Sequence, residues 1–299
     1  MVINIIKVIF EESAKYAILA LGVYISYSIL DFPDMSVDGT MPLGAILSAV
    51  LIVKGVNPWL SLLIAFAAGC VAGAVTGILH VKLKIRPLLC GILVFTALLS
   101  INLVIAKAGT GTAIVSVFGK STIFDIFPSS LLPAGLNAFK KLIVLAVIVI
   151  LIKLALDWYL KTKSGMLLRA TGANEKYVVM LGKNPGVSKI IGLAIGNGLA
   201  AFAGGVIAQA NQTANATMGT GMVVFGLSSV IIGITICRKL TFIKATTAVI
   251  IGSIIYRGCL QLAIFYGLPS DYNKILMAVM FVIALLISGW FQKRGAREC

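Results

Sequence analysis

Acidic residues and histidine are scarce in this chain of 299 residues, which has ten Asp and Glu residues and a single histidine, His80. Acid–base and metal catalysis both need several ionisable side chains that converge on one point. The sequence contains no HExxH or GxSxG motif, and its five cysteines show no C-x-x-C spacing. We therefore predict that the chain is not an enzyme, has no catalytic residue or metal site, and binds no cofactor itself. We interpret His80 as an interfacial residue.

Nucleotide-binding motifs are also lacking. The segment GTGTAIVSVFGKST ends like a phosphate loop at residues 119–121, but Ile114 stands where that loop requires its first glycine. The segment GNGLAA, residues 196–201, fits a G-x-G-x-x-A pattern, yet it lies inside an apolar run with no preceding strand, which favours helix packing. Energy for any work done by this chain would therefore come from an ion gradient or from another subunit.

Charged residues make up only 12% of the chain, and hydrophobic residues make up 60%. Soluble domains are about half apolar and about a quarter charged, and about 20 apolar residues cross a bilayer as a helix. The composition predicts an all-α polytopic membrane protein, one transmembrane domain over residues 1–299 with about nine helices (eight to ten). The candidate spans are residues 14–30, 41–53, 59–80, 88–106, 142–160, 190–210, 222–236, 241–266 and 274–290.

The net charge of +15 comes from Lys and Arg residues that cluster in short segments beside the apolar runs. This distribution is typical of positive-inside membrane topology and argues against nucleic acid as a partner. Residues 161–189 hold five lysines and Arg169 against Glu175 alone, so we predict a cytoplasmic loop there. Counting spans from that loop places residues 107–141 in an extracytoplasmic loop and the N-terminus outside.

The stretch LDFPDMSVDGTMPLG, residues 30–44, carries three acids and no base, although the count of spans places it on the inner side. It is also short for a loop between two spans. We therefore predict a broken or re-entrant segment at membrane depth near residues 31–42. Nonhelical backbone is tolerated at that depth only where it is buried in protein or lines a water-filled cavity.

Polar side chains within the apolar runs are the candidates for a translocation path. A charge at membrane depth is costly unless it is paired or wetted, which favours the two aspartates of the break. For the amides, hydrogen bonding between helices is the favoured alternative. The candidate path residues are Asp34, Ser36, Asp38, Asn102, Asn197 and Gln209.

Small residues recur every fourth position in the third and sixth spans. In lipid this spacing lets two helix backbones approach closely, because packing replaces the hydrophobic driving force. The predicted packing residues are Gly69, Gly73 and Gly77 in the third span and Gly192, Gly196 and Gly204 in the sixth.

The inner loop contains the pattern of a short helix over residues 174–182. Asn174 is a favourable N-cap, Glu175 suits the first turn, and Gly182 suits the position after the last turn. Tyr177, Met180 and Leu181 share one face at helical spacing. This face either packs back on the membrane edge of the protein or docks into a groove of a partner.

The sequence GMLLRATGANEKYVVMLGKNPGVSKIIGLAIGNGLAAFAGG, residues 165–205, closely resembles the coupling region and following span of bacterial ABC importer permeases of the branched-chain amino acid and ribose type. DMSVDG, residues 34–39, resembles the D-L-S-V-G break of the sugar-type members, with Met35 for leucine and Asp38 inserted before Gly39. The chain lacks the extra N-terminal span of sugar-type members, so it is more similar to the amino-acid type.

The resemblance implies a multi-pass protein of the bacterial cytoplasmic membrane that pairs with a second permease subunit, as a homodimer. It also implies two cytoplasmic ATPase subunits, which would hold ATP and Mg, and an extracytoplasmic substrate-binding protein. In that family the short inner helix is a coupling helix that inserts into a cleft of the ATPase. The residues implied in coupling are Arg169, Gly172, Asn174, Glu175, Tyr177, Met180, Leu181 and Gly182.

The function implied is that of a permease subunit of an ATP-driven, binding-protein-dependent importer, which moves a small solute by alternating access. An amino acid, branched-chain or aromatic, is the favoured substrate. A sugar or nucleoside importer is the first alternative, and a secondary transporter driven by an ion gradient is the second.

Overall fold

The computed structural model describes residues 2–126, 139–237, 242–265, 267, 269 and 272–295. These residues form a bundle of helices, with one two-stranded β-ribbon at one end. The helices are α1 (Val2–Val23, followed by a π-helical segment, Tyr24–Ile29), α2 (Val37–Val53), α3 (Pro58–Leu83), α4 (Pro87–Thr110), α5 (Ile123–Ile126), α6 (Lys140–Tyr159), α7 (Lys163–Ala173), α8 (Glu175–Met180), α9 (Pro185–Asn211), α10 (Met222–Cys237), α11 (Ala245–Phe265) and α12 (Asn273–Gly295).

Each predicted span overlaps one helix of this bundle. By length and composition, α3, α4, α6, α9 and α11 suffice to cross a membrane, and α2, α10 and part of α12 are shorter apolar helices. The all-α polytopic prediction fits this arrangement. The number nine stays a prediction, because α1 begins with a charged half and three of the apolar helices are short.

Helix α9 is the centre of the bundle. In its most apolar stretch 72% of the residues are buried, against 39% or less in the other four long helices. It contacts α1, α2, α3 and α7. The glycine- and alanine-rich sequence of α9 explains its position, because small side chains leave room for several neighbouring backbones at once.

The glycine stripe of α9 faces α1 and α2. Gly196 lies against the backbone of Gly22, and Gly204 lies against the carbonyl oxygen of Met41. Gly192 lies under leucine side chains of α7 and of the segment after α1. A methyl group at Gly204 would collide with backbone rather than with a movable side chain, so this contact requires glycine.

The glycine stripe of α3 meets a different face of α9. Gly69 and Gly73 lie against the carbonyl oxygens of Asn197 and Leu193, and Gly77 packs on the next turn of α9. The two predicted stripes therefore do not face each other. The stripe of α3 allows α3 to approach α9, and the stripe of α9 allows α1 and α2 to approach another face of α9.

The two ends of the bundle carry different structures. At the end that we call the outer end, β1 (Ile114–Ser116) pairs antiparallel with β2 (Thr213–Asn215). Close by, the Thr122 hydroxyl donates to Asp125 and holds the pKa of that carboxyl below its usual range. Helices α7 and α8 lie at the opposite, inner end.

Several predicted boundaries need correction. The outer loop, predicted over residues 107–141, starts after Thr110 because α4 continues to that residue, and the part of it at 127–138 lies outside the described residues. Residues 161–189 are not one loop with one helix, since they contain α7, α8 and the first turn of α9. Pro185 begins α9, where its missing N–H costs nothing.

The break between α1 and α2 is present but shorter than predicted. Residues 30–36 are nonhelical, and residues 37–42, assigned to the break from sequence, form the start of α2. The helix continues through Pro42, whose ring nitrogen cannot donate to the carbonyl oxygen of Asp38. The prediction failed at this end because it rested on the acidic residues and the short length of the whole stretch 30–44, and neither marks the residue at which α2 begins.

Candidate functional site

The nonhelical segment lies halfway along α9, and a polar network holds it there. Asn197 donates from Nδ2 to Asp34 Oδ2 at 2.6 Å, and the backbone N–H of Ser36 donates to Asp34 Oδ1 at 2.8 Å. The hydroxyls of Ser36 and Thr40 donate to Asn197 Oδ1 at 3.0 and 2.8 Å. Since residue 197 is near the middle of α9, the Asp34 carboxylate is at membrane depth.

Asp34 is 4% exposed, and no cation pairs with it among the described residues. Its charge is instead met by the amide of Asn197 and the N–H of Ser36 at the start of α2. Breaking this network would leave a buried carboxylate with too few donors, which is a costly arrangement. The sequence predicted Asp34, Ser36 and Asn197 separately, and it missed Thr40, which links the same amide to α2.

Asp38 joins the first turns of two helices. Its carboxylate accepts from the N–H of Gly221 at 2.9 Å and from the N–H of Val223 at 2.7 Å, at the start of α10. Asp38 itself lies in the first turn of α2. The N-termini of α2 and α10 therefore meet at this carboxylate, which suits the partial positive charge of both helix ends. Broken helices that meet inside the membrane are typical of transporter sites.

The other two candidate path residues, Asn102 and Gln209, form hydrogen bonds to neighbouring segments. Asn102 Nδ2 donates to the carbonyl oxygen of Gly39 at 3.0 Å. Gln209 accepts from the N–H of Ile123 at 3.0 Å and donates to Ser48 Oγ at 3.1 Å. Both amides thus make hydrogen bonds between helices or loops, the alternative that the sequence favoured. Their part in translocation stays a prediction.

The short inner helix has the predicted caps. Asn174 Oδ1 accepts from the backbone N–H groups of Lys176 at 3.0 Å and Tyr177 at 3.4 Å. Gly182 has φ +69°, a left-handed conformation that favours glycine after a helix. The local sequence alone determines these caps, because each contact joins residues fewer than five positions apart.

The apolar face of α8 is open. Met180 is 84% exposed, and Tyr177 and Leu181 are both more than half exposed. Val179 adds to this surface, and Val178 is the residue that α8 buries. The sequence missed Val178 as the anchor and Val179 as a fourth exposed apolar residue. A single hidden side chain leaves nearly the whole helix free to contact another molecule.

Arg169 and Gly172 are not on this helix but on α7. Gly172 lies against the carbonyl oxygen of Ile29, where a larger residue would collide with backbone. Arg169 is exposed and lines a cavity between α7 and the inner ends of α1, α6 and α11. The structure therefore places these two residues at the base of α8 rather than on its exposed face.

Charged residues connect α8 to two long helices. Glu175 forms an ion pair with Lys189 of α9. Lys189 Nζ also lies 3.4 Å from Nε2 of His80 on α3, and Nδ1 of that ring lies 2.8 Å from the carbonyl oxygen of Ile85. A lysine donor at Nε2 requires the proton of the neutral ring on Nδ1. His80 thus ends a chain of contacts that starts at α8, and its interpretation as an interfacial residue stays a prediction.

Comparison with known proteins identifies the family. The sequence profile of the family described as "Branched-chain amino acid transport system / permease component" matches residues 5–285. The chain belongs to this family. The prediction of the family is confirmed, and the permease is an integral multi-pass protein of the bacterial inner membrane. No solved structure matches the chain.

Relatives of the permease carry different substrate names. It is 42% identical to the tyrosine transport system permease protein of Clostridioides difficile (strain R20291), over 94% of this chain and 90% of that one. It is 24% identical to the ribose import permease protein of Escherichia coli (strain K12), over 95% and 85%. It is also 24% identical to a probable branched-chain amino acid transport permease protein of Methanocaldococcus jannaschii, over 94% and 90%.

Proposed function

We propose that the permease is the membrane subunit of an ATP-driven importer of an amino acid, and that tyrosine or another aromatic amino acid is its substrate. The observation that carries this proposal is the 42% identity, over 94% of the chain, to a permease named for tyrosine transport. The identity to the ribose permease is 24%, which makes a sugar the second candidate.

ATP hydrolysis is assigned to a separate subunit that contacts α8. A helix with an open apolar face suits docking into a groove of a partner. Movement of α8 would reach α9 through the Glu175–Lys189 pair and α3 through His80. Because α9 packs on α1, α2 and α3, a shift at its inner end would be felt at the break beside Asn197.

Alternating access then requires the hydrogen bonds at the break to open, so that the groups that form them can contact the substrate. The N-termini of α2 and α10 share the Asp38 carboxylate, so separating these helices would expose it together with the N–H groups it now accepts from. A zwitterionic amino acid offers both a cation for this carboxylate and an anion for the helix N-termini. In the proposed assembly, a second permease copy completes the path and an extracytoplasmic binding protein delivers the substrate.

The docking role of α8 can be tested by copurification from the native membrane. We expect Met180→Asp combined with Leu181→Asp to remove the ATPase from the purified complex, because two charges would have to be buried in its groove. The matched control is Phe118→Asp, which also charges an exposed apolar residue, 82% exposed, but at the outer end. Recovery of the ATPase with the inner double variant at the level of the control would contradict the docking role.

The substrate can be tested by uptake of radiolabelled tyrosine into liposomes that contain the copurified complex. We expect uptake that needs ATP and the binding protein, and that excess unlabelled aromatic amino acid suppresses more than ribose does. Suppression by ribose instead would support the sugar alternative. Uptake by the permease alone under an imposed ion gradient would overturn the ATP-driven mechanism.

A further inference from the structure

A cavity of about 610 Å³ opens at the inner end of the bundle. It lies between the π-helical segment after α1, the end of α6, helix α7 and the start of α11. None of the six candidate path residues lines it. Its walls therefore have no part in the network around Asp34 and Asp38.

The walls of this cavity carry an excess of positive charge. Lys161, Arg169 and Lys244 line it, against the single carboxylate of Asp157. That carboxylate is already satisfied, since it pairs with Lys244 at 3.0 Å and with a further lysine of α6, and it accepts from Thr246 at 2.6 Å. Among the described residues, the side chains of Lys161 and Arg169 have no ion-pair or hydrogen-bond partner.

Hydroxyl groups complete the lining. The side chain of Tyr24 is 5% exposed, and Ser28 lies one π-helical turn away. Neither hydroxyl has a hydrogen-bond partner in the described part of the chain, and both residues line the cavity. Arg169 lies near enough to act electrostatically on the Tyr24 hydroxyl. Two cations and two hydroxyls without partners thus converge on one volume, in a π-helical segment of the kind often found at functional sites.

The depth of the cavity matches the lipid headgroups of the inner leaflet. Trp158 follows the cavity residue Asp157 and is 72% exposed, as expected for an aromatic residue at the membrane interface. Val147, Leu151 and Leu154 are exposed on the same face of α6, at spacings of three and four residues that continue from Trp158. An apolar surface for acyl chains therefore runs from the cavity into the membrane.

We propose that this cavity is a binding site for the phosphate headgroup of an anionic phospholipid of the inner leaflet, held by Lys161, Arg169 and the hydroxyls of Tyr24 and Ser28. Arginine and lysine suit phosphate oxygens, and basic pockets between helices on the cytoplasmic side recognise such headgroups. The site is independent of the transported solute, because it shares no residue with the polar network at the break.

The test measures lipid binding to the purified full-length permease by native mass spectrometry, with phosphatidylglycerol, phosphatidylcholine and inorganic phosphate as separate probes. We expect retention of phosphatidylglycerol over phosphatidylcholine. Lys161→Gln combined with Arg169→Gln should weaken that binding about 25-fold, since each cation near the surface contributes about fivefold. The matched control is Lys163→Gln combined with Lys183→Gln, which removes two exposed charges at the same end without touching the cavity.

A second variant keeps the proposal testable if the first one fails to fold. Tyr24→Phe removes one hydroxyl and no charge, and it should weaken phosphatidylglycerol binding about fivefold. A different outcome is that inorganic phosphate binds the wild-type permease, displaces phosphatidylglycerol, and fails to bind the double variant. That outcome would support a phosphate site whose ligand is a soluble phosphate. Equal retention of both lipids with no effect of phosphate, or equal loss in the double variant and its control, would overturn the proposal.

Discussion

Asn197 is the residue on which most of the buried polar contacts at the break depend. Its amide makes four hydrogen bonds: three join Asp34, Ser36 and Thr40 to α9, and the fourth is to the carbonyl oxygen of Leu193 within α9. In membrane proteins a single such bond contributes modestly, about 0.6 kcal/mol on average. The effect of losing this amide is larger, because a buried carboxylate and two hydroxyls would each lose a partner.

At this scale we predict that Asn197→Leu lowers the stability of the purified permease by about 2–4 kcal/mol, since it leaves Asp34 short of a donor. Thermal unfolding in detergent measures the change. Asn102→Leu is the matched control, because among the described residues that amide makes one hydrogen bond, to Gly39, and its oxygen has no partner. Equal melting temperatures for the two variants would show that the network around Asp34 contributes no more stability than the single hydrogen bond of Asn102.

Several helices around α9 approach it closely, backbone to backbone, at glycine residues. Glycines of α3 approach the carbonyl oxygens of α9, and glycines of α9 approach those of α1 and α2. Because these contacts involve backbone on both sides, the partner cannot move aside to accept a methyl group. The packing of this half of the bundle is therefore sensitive to the smallest substitution.

We predict that Gly204→Ala destabilises the permease by several kcal/mol, although alanine is the better helix former, by about 1 kcal/mol. The added methyl group would collide with the carbonyl oxygen of Met41. Gly289→Ala in α12 is the control, because no atom of the described residues lies within contact distance of the added methyl group. Melting curves should show a lower melting temperature for Gly204→Ala and a higher one for Gly289→Ala. An unchanged melting temperature for Gly204→Ala would contradict the packing described for α9.

Local sequence patterns account for the helices and for the caps of α8, because apolar runs and capping residues act over a few positions. They also located the break, but not its end, since Pro42 is accommodated inside α2. They could not supply the partners of each stripe or the role of His80. Those contacts join positions 100 or more apart, such as His80 to Lys189, and no local spacing encodes them.

At the scale of the whole molecule, α8 is connected to the bundle by one buried valine and one chain of polar contacts. Glu175 is half exposed, so its pair with Lys189 adds little to stability, about 0–1 kcal/mol. In the proposed assembly this pair would instead transmit movement, because it would join the docking point of the ATPase to the helix at the centre of the fold. We therefore expect that loss of this ion pair impairs coupling between α8 and α9 without lowering the stability of the permease.

We predict that Lys189→Met leaves the melting temperature of the permease nearly unchanged and the ATPase still bound, while substrate no longer stimulates ATP hydrolysis fully. The reason is that α8 keeps its apolar face but loses its ionic link to α9 and its link to His80. Lys183→Met, which replaces an exposed lysine three residues after α8, is the control. Full stimulation in both variants would show that force passes from α8 by another route.

The central position of α9 also has a consequence for biogenesis. Helices α1, α2 and α3 are synthesised more than a hundred residues before α9, yet most of their glycines lie against that later helix. During synthesis these three helices must wait in the membrane with their glycine surfaces against lipid. A nascent chain that stops before residue 185 thus lacks the partner that would hold its first half together, and is an expected substrate for membrane proteases.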